Sequence, residues 1–538
     1  MKNLIKNLNK KDYKIIIIVA VVILLISFSI PFYFKVNTPD GYLYNWRVSY
    51  SHNDSYGYYG YIDQAKEGHF LFRDLYQSDS SYIIFNYFWL GLGLIARLFG
   101  LSAITIFYLS KLIFIPLFLF IFYLFLSFFF REKSLVRFAF SLGVFGMGFG
   151  GFFLPFNQIL RLLGWRGITP VDFMPEATIF SNLLYSPHFI FALTLFVFII
   201  LMTLLFLDTR KFKYGVYSGI AGLLLFQFHP FPLITFATLY LIYLIYLYFI
   251  RDKKFASFFK YTILFFALSS PSWLYHIIMF WRNEWWHIQG VNNAVETPHI
   301  IVLLIVFAPW LWFLRAGIKC IKKKSIEFKN VDFMFFWIVI NFVVIYLPIA
   351  FQRRLLEGWQ LSILPFAAIG IIYGLSKQKI NIKRDYLYIF PILAILFFST
   401  SSIYVYWRFS LAKFNEEVFF NKTELFEAID WIKYNSEIDN IVFSSEDISN
   451  ILAGRSLRRV YLGHWAETLD ARYKSKQTQL FLTEMDAKER EGFLDRENID
   501  FVLFDQQWAA EGASNLDEED FLEKVYERGE YKIYKVKI

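Results

Sequence analysis

Long apolar runs alternate with short polar segments over the first 411 residues of this 538-residue chain. Eleven runs reach or approach the ~20 residues that an α-helix needs to cross a hydrocarbon core of ~30 Å. Because a spanning helix satisfies its own backbone polar groups, the pattern predicts a polytopic α-helical membrane protein. The predicted spans are roughly 14–34, 103–130, 136–154, 183–207, 214–229, 232–250, 259–281, 299–314, 331–350, 360–376 and 386–407.

The segment 82–99 is a twelfth apolar run, and its assignment decides the topology. With eleven spans the basic loops all fall on the side of the N-terminus, as the positive-inside rule requires, whereas a twelfth span would invert them. Asn86 and Arg97 also interrupt this run. We therefore expect 82–99 to be an interfacial or re-entrant helix within the first outer loop, 35–102. The basic loops are 131–137, 210–213, 251–254, 315–329 and 377–384.

This topology predicts a multi-pass plasma-membrane protein with a cytoplasmic N-terminus. The basic segment 1–14 precedes the first run, and no small-residue cleavage site follows it, which favours an uncleaved span. The pattern changes near residue 412, where charged positions alternate with short strand-like and helix-like segments. We expect 1–411 to form a transmembrane module and 412–538 a small extracytoplasmic α/β domain, with strands at 440–444, 459–463, 501–504 and 531–536.

Composition narrows the function classes. Hydrophobic residues make up 57% of the chain, and the net charge is +9. The Lys and Arg residues lie in loops between spans, where they orient a membrane protein, so we expect no nucleic-acid partner. Cys320 is the one cysteine, which excludes an internal disulfide.

Asp54 is the first candidate for chemistry, because it lies in the first outer loop just before a predicted amphipathic helix. Its carboxylate suits a general base or a ligand of a divalent cation. The alternative is an ordinary helix N-cap. Asp63 lies elsewhere on the same helix. The residues expected together on one helical face are Tyr58, Tyr61, Ile62 and Ala65.

Two adjacent arginines, Arg353 and Arg354, fall on the outer face, where the positive-inside rule predicts few cations. Guanidinium groups bind a phosphate through paired hydrogen bonds, so a donor-phosphate site is one interpretation. Snorkelling side chains or an ion pair with Glu357 are the alternatives.

Other polar residues near span ends are candidates for lining a cavity, since ionisable groups at such positions are often functional. For the histidines among them, the alternative is a bond to a backbone carbonyl freed by the adjacent proline. Their spacing does not fit a metal site, so we predict no metal ligands. The candidates are Tyr58, Asp63, Glu176, His188, His229 and Gln352.

An acidic residue in the first outer loop, surface helices there, many spans and an outer C-terminal domain together resemble the GT-C superfamily of membrane glycosyltransferases. Gln352, Arg353 and Arg354 support the resemblance, and the stretch 454–468 is similar to C-terminal segments of bacterial and archaeal proteins with this architecture. Two branches fit less well. Asp54 is followed by Ser55, unlike the Asp-Glu pair of protein mannosyltransferases, and Trp285-Trp286 is followed by His287, unlike the Trp-Trp-Asp motif of oligosaccharyltransferases.

The resemblance implies an inverting hexosyl transfer, of the mannosyltransferase type, in glycosylation of the cell envelope. It implies a polyprenyl-phosphate sugar donor and an acceptor hydroxyl on a glycan, lipid or protein at the outer face. Carried over, Asp54 is the catalytic base and Arg353 or Arg354 holds the donor phosphate, and we expect these groups to share one cavity. The resemblance allows a divalent cation as a cofactor but does not require one. Aromatic candidates for the sugar faces are Tyr56, Tyr58, Tyr59, Tyr61, Trp285 and Trp286.

Two other functions remain open. A transporter or flippase of a lipid-linked substrate is expected to place charges deep within its spans, and Lys111 is the main such residue. A non-catalytic envelope assembly protein would bind partners through the outer domain and leave Asp54 without a role. The gathering of ionisable groups on one face favours the enzyme.

Overall fold

The structure is a computed structural model that describes residues 1–47, 53–153, 156–157, 159, 162–164, 170–292, 294–323, 328–376, 386–410, 416–505, 508 and 516–537. Residues 48–52 of the predicted first outer loop and the predicted basic loop 377–384 lie outside the described residues. The chain divides into two compact units. The first comprises Met1–Ile30, Lys111–Arg282 and Ala294–Ala412, and the second comprises Pro31–Ser110, Asn283–Asn293 and Lys413–Ile538.

Helices occupy all eleven positions at which the apolar pattern predicts spans. Among the described residues, seven helices are long and apolar enough to cross a membrane. The pair Ile300–Val306 and Ala308–Lys322, bent by 69°, is an eighth candidate. The polytopic helical fold is thus confirmed, whereas a total of eleven spans stays a prediction. The seven helices are Lys10–Val36, Ala103–Phe129, Lys133–Phe153, Pro187–Thr209, Pro232–Phe249, Phe255–Arg282 and Gln352–Tyr373.

Helix Pro187–Thr209 is enclosed within the first unit, with nearly every side chain buried. Among its buried polar groups, the Thr203 hydroxyl lies 2.6 Å from the hydroxyl of Tyr240 and 2.8 Å from that of Tyr261. The buried Lys111 ammonium donates to Ser27 Oγ and to the carbonyl oxygen of Leu184. Its bonds therefore give this intramembrane cation a structural role. The candidate span Gln352–Tyr373 consists of the turn Gln352–Leu356 and helix Trp359–Ser376. Shorter helices of this unit are Lys213–Phe228, Val331–Val344, Tyr386–Phe398 and Thr400–Ser410.

In the second unit, helix Ser55–Glu67 is buried on more than one face, unlike an amphipathic surface helix. Tyr56, Tyr59, Ile62 and Ala65 recur at three-residue intervals and are buried. The predicted apolar face, which included Tyr58 and Tyr61, is therefore displaced. Those two rings are half-buried, because Tyr58 stacks on Trp89 and Tyr61 packs on Phe72.

The segment 82–99 folds as the 13-residue helix Tyr87–Phe99, which is shorter than a membrane span. The Asn86 side chain accepts from the backbone N–H groups of Phe88 and Trp89, so the asparagine that interrupts the apolar run begins the helix. This helix packs closely on Ser55–Glu67, as expected for a helix within the first loop.

A five-stranded mixed sheet forms the core of the C-terminal part of the second unit. Its strand order is Arg459–Val460, Ile441–Phe443, Phe501–Phe504, Tyr531–Val536 and Leu522–Arg528, the first three parallel and the last two joined antiparallel. This confirms the small α/β fold. Leu522–Arg528 was not predicted, because it is a largely exposed edge strand with alternating charge. The flanking helices are Thr423–Asn435, Glu446–Ser456, Ala471–Thr483 and Ala487–Arg496.

Within the second unit, the first loop and the C-terminal region are packed together. Strand Tyr42–Tyr44 pairs antiparallel with Phe420–Lys422. Helix Glu446–Ser456 lies so close to Ser55–Glu67 that a Cβ at Gly454 would be 2.2 Å from the Tyr56 carbonyl oxygen. The domain boundary near residue 412 stays a prediction, because the second unit contains residues from both sides of it.

The two glycines of helix Tyr87–Phe99 test this packing. A Cβ at Gly93 would lie 2.3 Å from Ala65 Cβ, whereas none of the described atoms lies within 4 Å of a Cβ at Gly91. We expect Gly93→Ala to destabilise the protein by about 1–3 kcal/mol through overpacking. Gly91→Ala is expected to be neutral or stabilising by up to about 1 kcal/mol, because alanine favours helix. Thermal unfolding of the purified protein measures both, and equal midpoints would contradict the close approach.

Candidate functional site

Asp54 stands at the N-cap position of helix Ser55–Glu67, yet its side chain makes no capping hydrogen bond. Its Oδ1 lies 2.7 Å from His464 Nε2, and its Oδ2 lies 3.3 Å from the hydroxyl of Tyr58. The Asp54 side chain is 34% exposed, whereas that of His464 is 5% exposed. The Asp54 carboxylate therefore does not cap the helix. It instead joins the first loop to a residue 410 positions later in the chain.

His464 follows strand Arg459–Val460, at the carboxyl end of the parallel part of the sheet. Functional groups gather at such ends in open α/β sheets. The turn that carries the ring is closed by its own hydrogen bonds, since Gly463 N–H donates to Thr468 Oγ1 and Thr468 N–H donates to the His464 carbonyl. A Cβ at Gly463 would lie 2.5 Å from the ring of Tyr76, so the turn needs glycine there.

The ring nitrogens of His464 have different partners. Nδ1 accepts from the backbone N–H of Ala466 at 3.2 Å when the ring is neutral, whereas Nε2–H donates to Asp54 in both charge states. Although burial alone lowers the pKa of His464, hydrogen bonding to Asp54 and the charges of Glu467, Asp54 and Asp74 raise it to about 9. That rise in the pKa of His464 corresponds to about 3 kcal/mol in favour of the protonated ring, whereas a neutral hydrogen bond at Nδ1 is worth about 1 kcal/mol. We therefore expect an imidazolium at neutral pH, in which Nδ1 is protonated and no longer accepts from Ala466.

Two further carboxyl groups lie beside this pair. Burial, together with the charge of Glu467, raises the pKa of Asp74 well above its usual value, and burial also raises that of Glu467. Asp74 Oδ1 accepts from the backbone N–H of Tyr76 at 2.8 Å. The Glu467 carbonyl accepts from Trp285 Nε1 at 3.2 Å, so one of the predicted aromatic platforms borders the cluster. We call His464, Asp54, Asp74 and Glu467 the acidic cluster.

The remaining predicted residues of the first loop divide between packing and the site. Tyr56 and Tyr59 are buried and donate to the backbone carbonyls of Asn45 and Trp46, so their rings belong to the core. Tyr58 stays half-exposed beside Asp54. Asp63 lies further along the helix, where burial raises its pKa to about 6 against the opposing effect of Lys433.

In the first unit, the arginine pair lies in the short helical turn Gln352–Leu356. Arg353 Nη2 is 3.9 Å from Glu176 Oε1, and the guanidinium group of Arg354 lies 4.5 Å above the ring of Phe231. The Gln352 side-chain oxygen accepts from the Thr297 N–H at 3.3 Å. The Arg353–Glu176 separation is at the limit of an ion pair, which leaves the guanidinium group able to bind a further anion.

The two predicted cavity histidines have side-chain partners. His229 Nε2 is 2.8 Å from Glu357 Oε2, and both side chains are 2% exposed. His188 Nδ1 is 2.7 Å from Ser186 Oγ. Glu357 thus pairs with a histidine 128 positions away, and not with the adjacent arginines as one alternative expected. Nearby in sequence to Glu176, Asp172 is buried and accepts from Gly150 N–H, and burial raises its pKa to about 7.

The predicted site residues thus fall into two groups. Asp54, Tyr58 and Asp63 belong to the second unit, and Glu176, His188, His229, Gln352, Arg353 and Arg354 belong to the first. The shared cavity of Asp54 and the arginines stays a prediction. Among the described residues, no three His, Cys, Asp or Glu side chains are placed to hold a metal ion. Sequence reasoning missed His464 and Glu467 as neighbours of Asp54, although it noted the stretch 454–468 that contains both.

The raised pKa of His464 gives the site a pH dependence. A histidine whose pKa is higher in the folded state stabilises the fold fully below its unfolded pKa of ~6.5, and this contribution is lost as pH rises towards 9. We expect the difference in thermal stability between wild type and His464→Gln to be largest near pH 6 and to shrink by about pH 9.5. Thermal unfolding across this range measures it. His69→Gln is the control, because the His69 ring stacks on Tyr82 outside the acidic cluster. A difference that grows with pH would refute the assignment.

Comparisons with known proteins bear on the fold. No family model and no curated protein matches the sequence. Among solved structures, the chain is similar to the arabinofuranosyltransferase AftD from Mycobacteria, with a TM-score of 0.56 and 10% identity over 97% of this chain. It spans 40% of the length of that AftD chain. It is also similar to ArnT from Cupriavidus metallidurans bound to undecaprenyl phosphate, with a TM-score of 0.52 and 10% identity, covering 96% of this chain and 97% of that one. The chain therefore has the fold of the GT-C membrane glycosyltransferases.

Proposed function

We propose that this protein is an inverting membrane glycosyltransferase that moves a sugar from a polyprenyl-phosphate donor to an acceptor hydroxyl on the outer face of the plasma membrane. The observation that carries the proposal is the Asp54 carboxylate. In a chain with the GT-C fold, it lies in the loop that follows helix Lys10–Val36, is 34% exposed, and is held by a buried imidazole although it stands where a capping residue usually does. A partly exposed carboxylate held by an imidazole is suited to act as a base.

The proposed reaction is a single displacement at the anomeric carbon of the donor sugar. The acceptor O–H gives its proton to the Asp54 carboxylate while its oxygen forms a bond to the anomeric carbon of the donor sugar. The bond between that carbon and the phosphate oxygen breaks, and the electron pair leaves with the polyprenyl phosphate. Attack from the face opposite the leaving group inverts the anomeric configuration.

The leaving phosphate needs cations, and Arg353 is the first candidate. Its guanidinium group is 23% exposed and lies 3.9 Å from the nearly buried Glu176 carboxylate. Guanidinium groups bind phosphates through paired, charge-assisted hydrogen bonds. Arg354 is partly engaged by the ring of Phe231 and is the second candidate.

The donor sugar and the acceptor are proposed only by class. The resemblance favours a hexose of the mannose type, whereas AftD is an arabinofuranosyltransferase, so pentose and hexose donors both belong in the test. ArnT is solved with undecaprenyl phosphate, which supports a lipid of that kind as the carrier. The transport alternative rested on Lys111, whose ammonium group is bonded within the helices.

We expect Asp54→Asn to reduce sugar transfer by about 10²–10⁴-fold, because the amide cannot accept the acceptor's proton. Release of undecaprenyl phosphate from its arabinofuranosyl, mannosyl and glucosyl derivatives measures the reaction, with envelope extract as the acceptor source. Asp79→Asn, an exposed aspartate of the same loop, is the matched control and is expected to keep full activity. Full activity of Asp54→Asn would exclude Asp54 as the base.

We expect Arg353→Gln to weaken binding of undecaprenyl phosphate by about 10- to 100-fold, the value of a charge-assisted hydrogen bond. Ligand-dependent thermal stabilisation of the purified protein measures the affinity, and Arg354→Gln shows which arginine contributes more. Lys329→Gln removes a cation that pairs with Asp208 and serves as the control. Undecaprenol, which lacks the phosphate, is expected to bind equally to all variants. Unchanged phosphate affinity in both arginine variants would refute the phosphate site.

A further inference from the structure

We infer that His464 is a positioning residue for Asp54, which orients the carboxylate for proton abstraction and keeps it ionised. This inference rests on the proposed function and deepens it, since it assigns a role to a residue of the C-terminal region. His464 does not itself contact the reacting atoms in this scheme. It acts through the Nε2–H group that it donates to Asp54 Oδ1 at 2.7 Å.

The imidazole ring of His464 is held by Asp54 and by two neighbouring rings. Asp54 Oδ1 accepts from Nε2–H at 2.7 Å. The ring is packed between Trp465, nearly parallel at an interplanar angle of 20°, and Tyr76. Because the ring is 5% exposed and packed in this way, its donor has a fixed direction. A fixed donor holds the Asp54 carboxylate in one orientation.

The position of Asp54 shows why such a partner is needed. At the start of a helix, an aspartate side chain normally folds back onto the backbone N–H groups of the first turn. Asp54 occupies that position without making the capping bond. Its Oδ1 instead accepts from His464, and its Oδ2 accepts from the hydroxyl of Tyr58, so both carboxylate oxygens are engaged outside the capping geometry. A base must be aimed at its proton, since a displacement of about 1 Å costs on the order of 100-fold in rate.

The charge of the His464 ring also acts on the Asp54 carboxylate. An imidazolium next to a carboxylate stabilises the ionised form of that carboxylate, which is the form that accepts a proton. The charge of Glu467 opposes this effect at Asp54, whereas the charges of Glu467, Asp54 and Asp74 favour the protonated imidazole. Removing the imidazole therefore takes from Asp54 the group that favours its ionised form. The titratable groups around the pair are Asp74, Glu467, Glu446, Tyr58 and Tyr76.

The test compares His464→Ala with His464→Gln, whose side-chain amide retains an N–H donor. Turnover is measured with the undecaprenyl-phosphate sugar that the wild type uses, across pH 5 to 9. We expect His464→Ala to lower kcat on the order of 10- to 100-fold with little change in KM for the donor. Its acid limb should move to higher pH, because Asp54 loses the group that favours its ionised form. His464→Gln should recover most of kcat, and His69→Gln serves as the control.

The outcomes separate this inference from the proposed function. If Asp54→Asn is inactive and His464→Ala behaves as expected, both stand. If Asp54→Asn is inactive but His464→Ala keeps wild-type kcat, the inference is overturned and the base remains. A loss of kcat with an unmoved acid limb and no recovery in His464→Gln also overturns it, since that pattern indicates a structural role. If Asp54→Asn is active, the proposed base fails and the inference with it. In an Asp54→Asn background, His464→Ala is expected to have no further effect.

Discussion

The hydrogen bond between Asp54 and His464 is the contact on which the candidate site depends. It joins the start of a helix in the first loop to a turn at the end of a parallel strand, 410 positions later. Two other features of the second unit keep these elements in place. Tyr42–Tyr44 pairs with Phe420–Lys422, and helix Glu446–Ser456 approaches Ser55–Glu67 at Gly454 with no room for a side chain. The fold of the C-terminal region is therefore part of how the aspartate is held.

The acidic cluster carries an electrostatic cost that a purely structural site would avoid. Three carboxyl groups surround one imidazole, and burial raises the pKa of both Asp74 and Glu467. Like charges in a poorly solvated site cannot all ionise, so protons are retained by some of them. Groups with perturbed pKa values concentrate at functional sites, because there the chemistry repays the cost. Asp54, the more exposed member of the Asp54–His464 pair, is placed to meet a substrate.

Several parts of this arrangement were predictable from sequence, and the reasons are local. Apolar length predicted the membrane helices, and short alternating segments predicted the α/β region. The position of Asp54 in the loop after the first span made it a candidate. The helical face was misplaced, because periodicity alone does not show that Tyr56 and Tyr59 enter the core while Tyr58 stacks on Trp89. His464 and the pairing of His229 with Glu357 could not be predicted, since each depends on a contact across more than a hundred residues.

The pairing of Tyr42–Tyr44 with Phe420–Lys422 has a practical consequence for anyone who divides this chain for study. A fragment that begins near residue 413 would carry strand Phe420–Lys422 without its neighbour, and it would uncover the apolar surface that Tyr56 now occupies against Gly454. Unpaired strand edges and newly uncovered apolar patches promote self-association. A soluble truncation therefore needs the first-loop segment supplied in cis through an engineered linker, or co-expressed as a separate peptide.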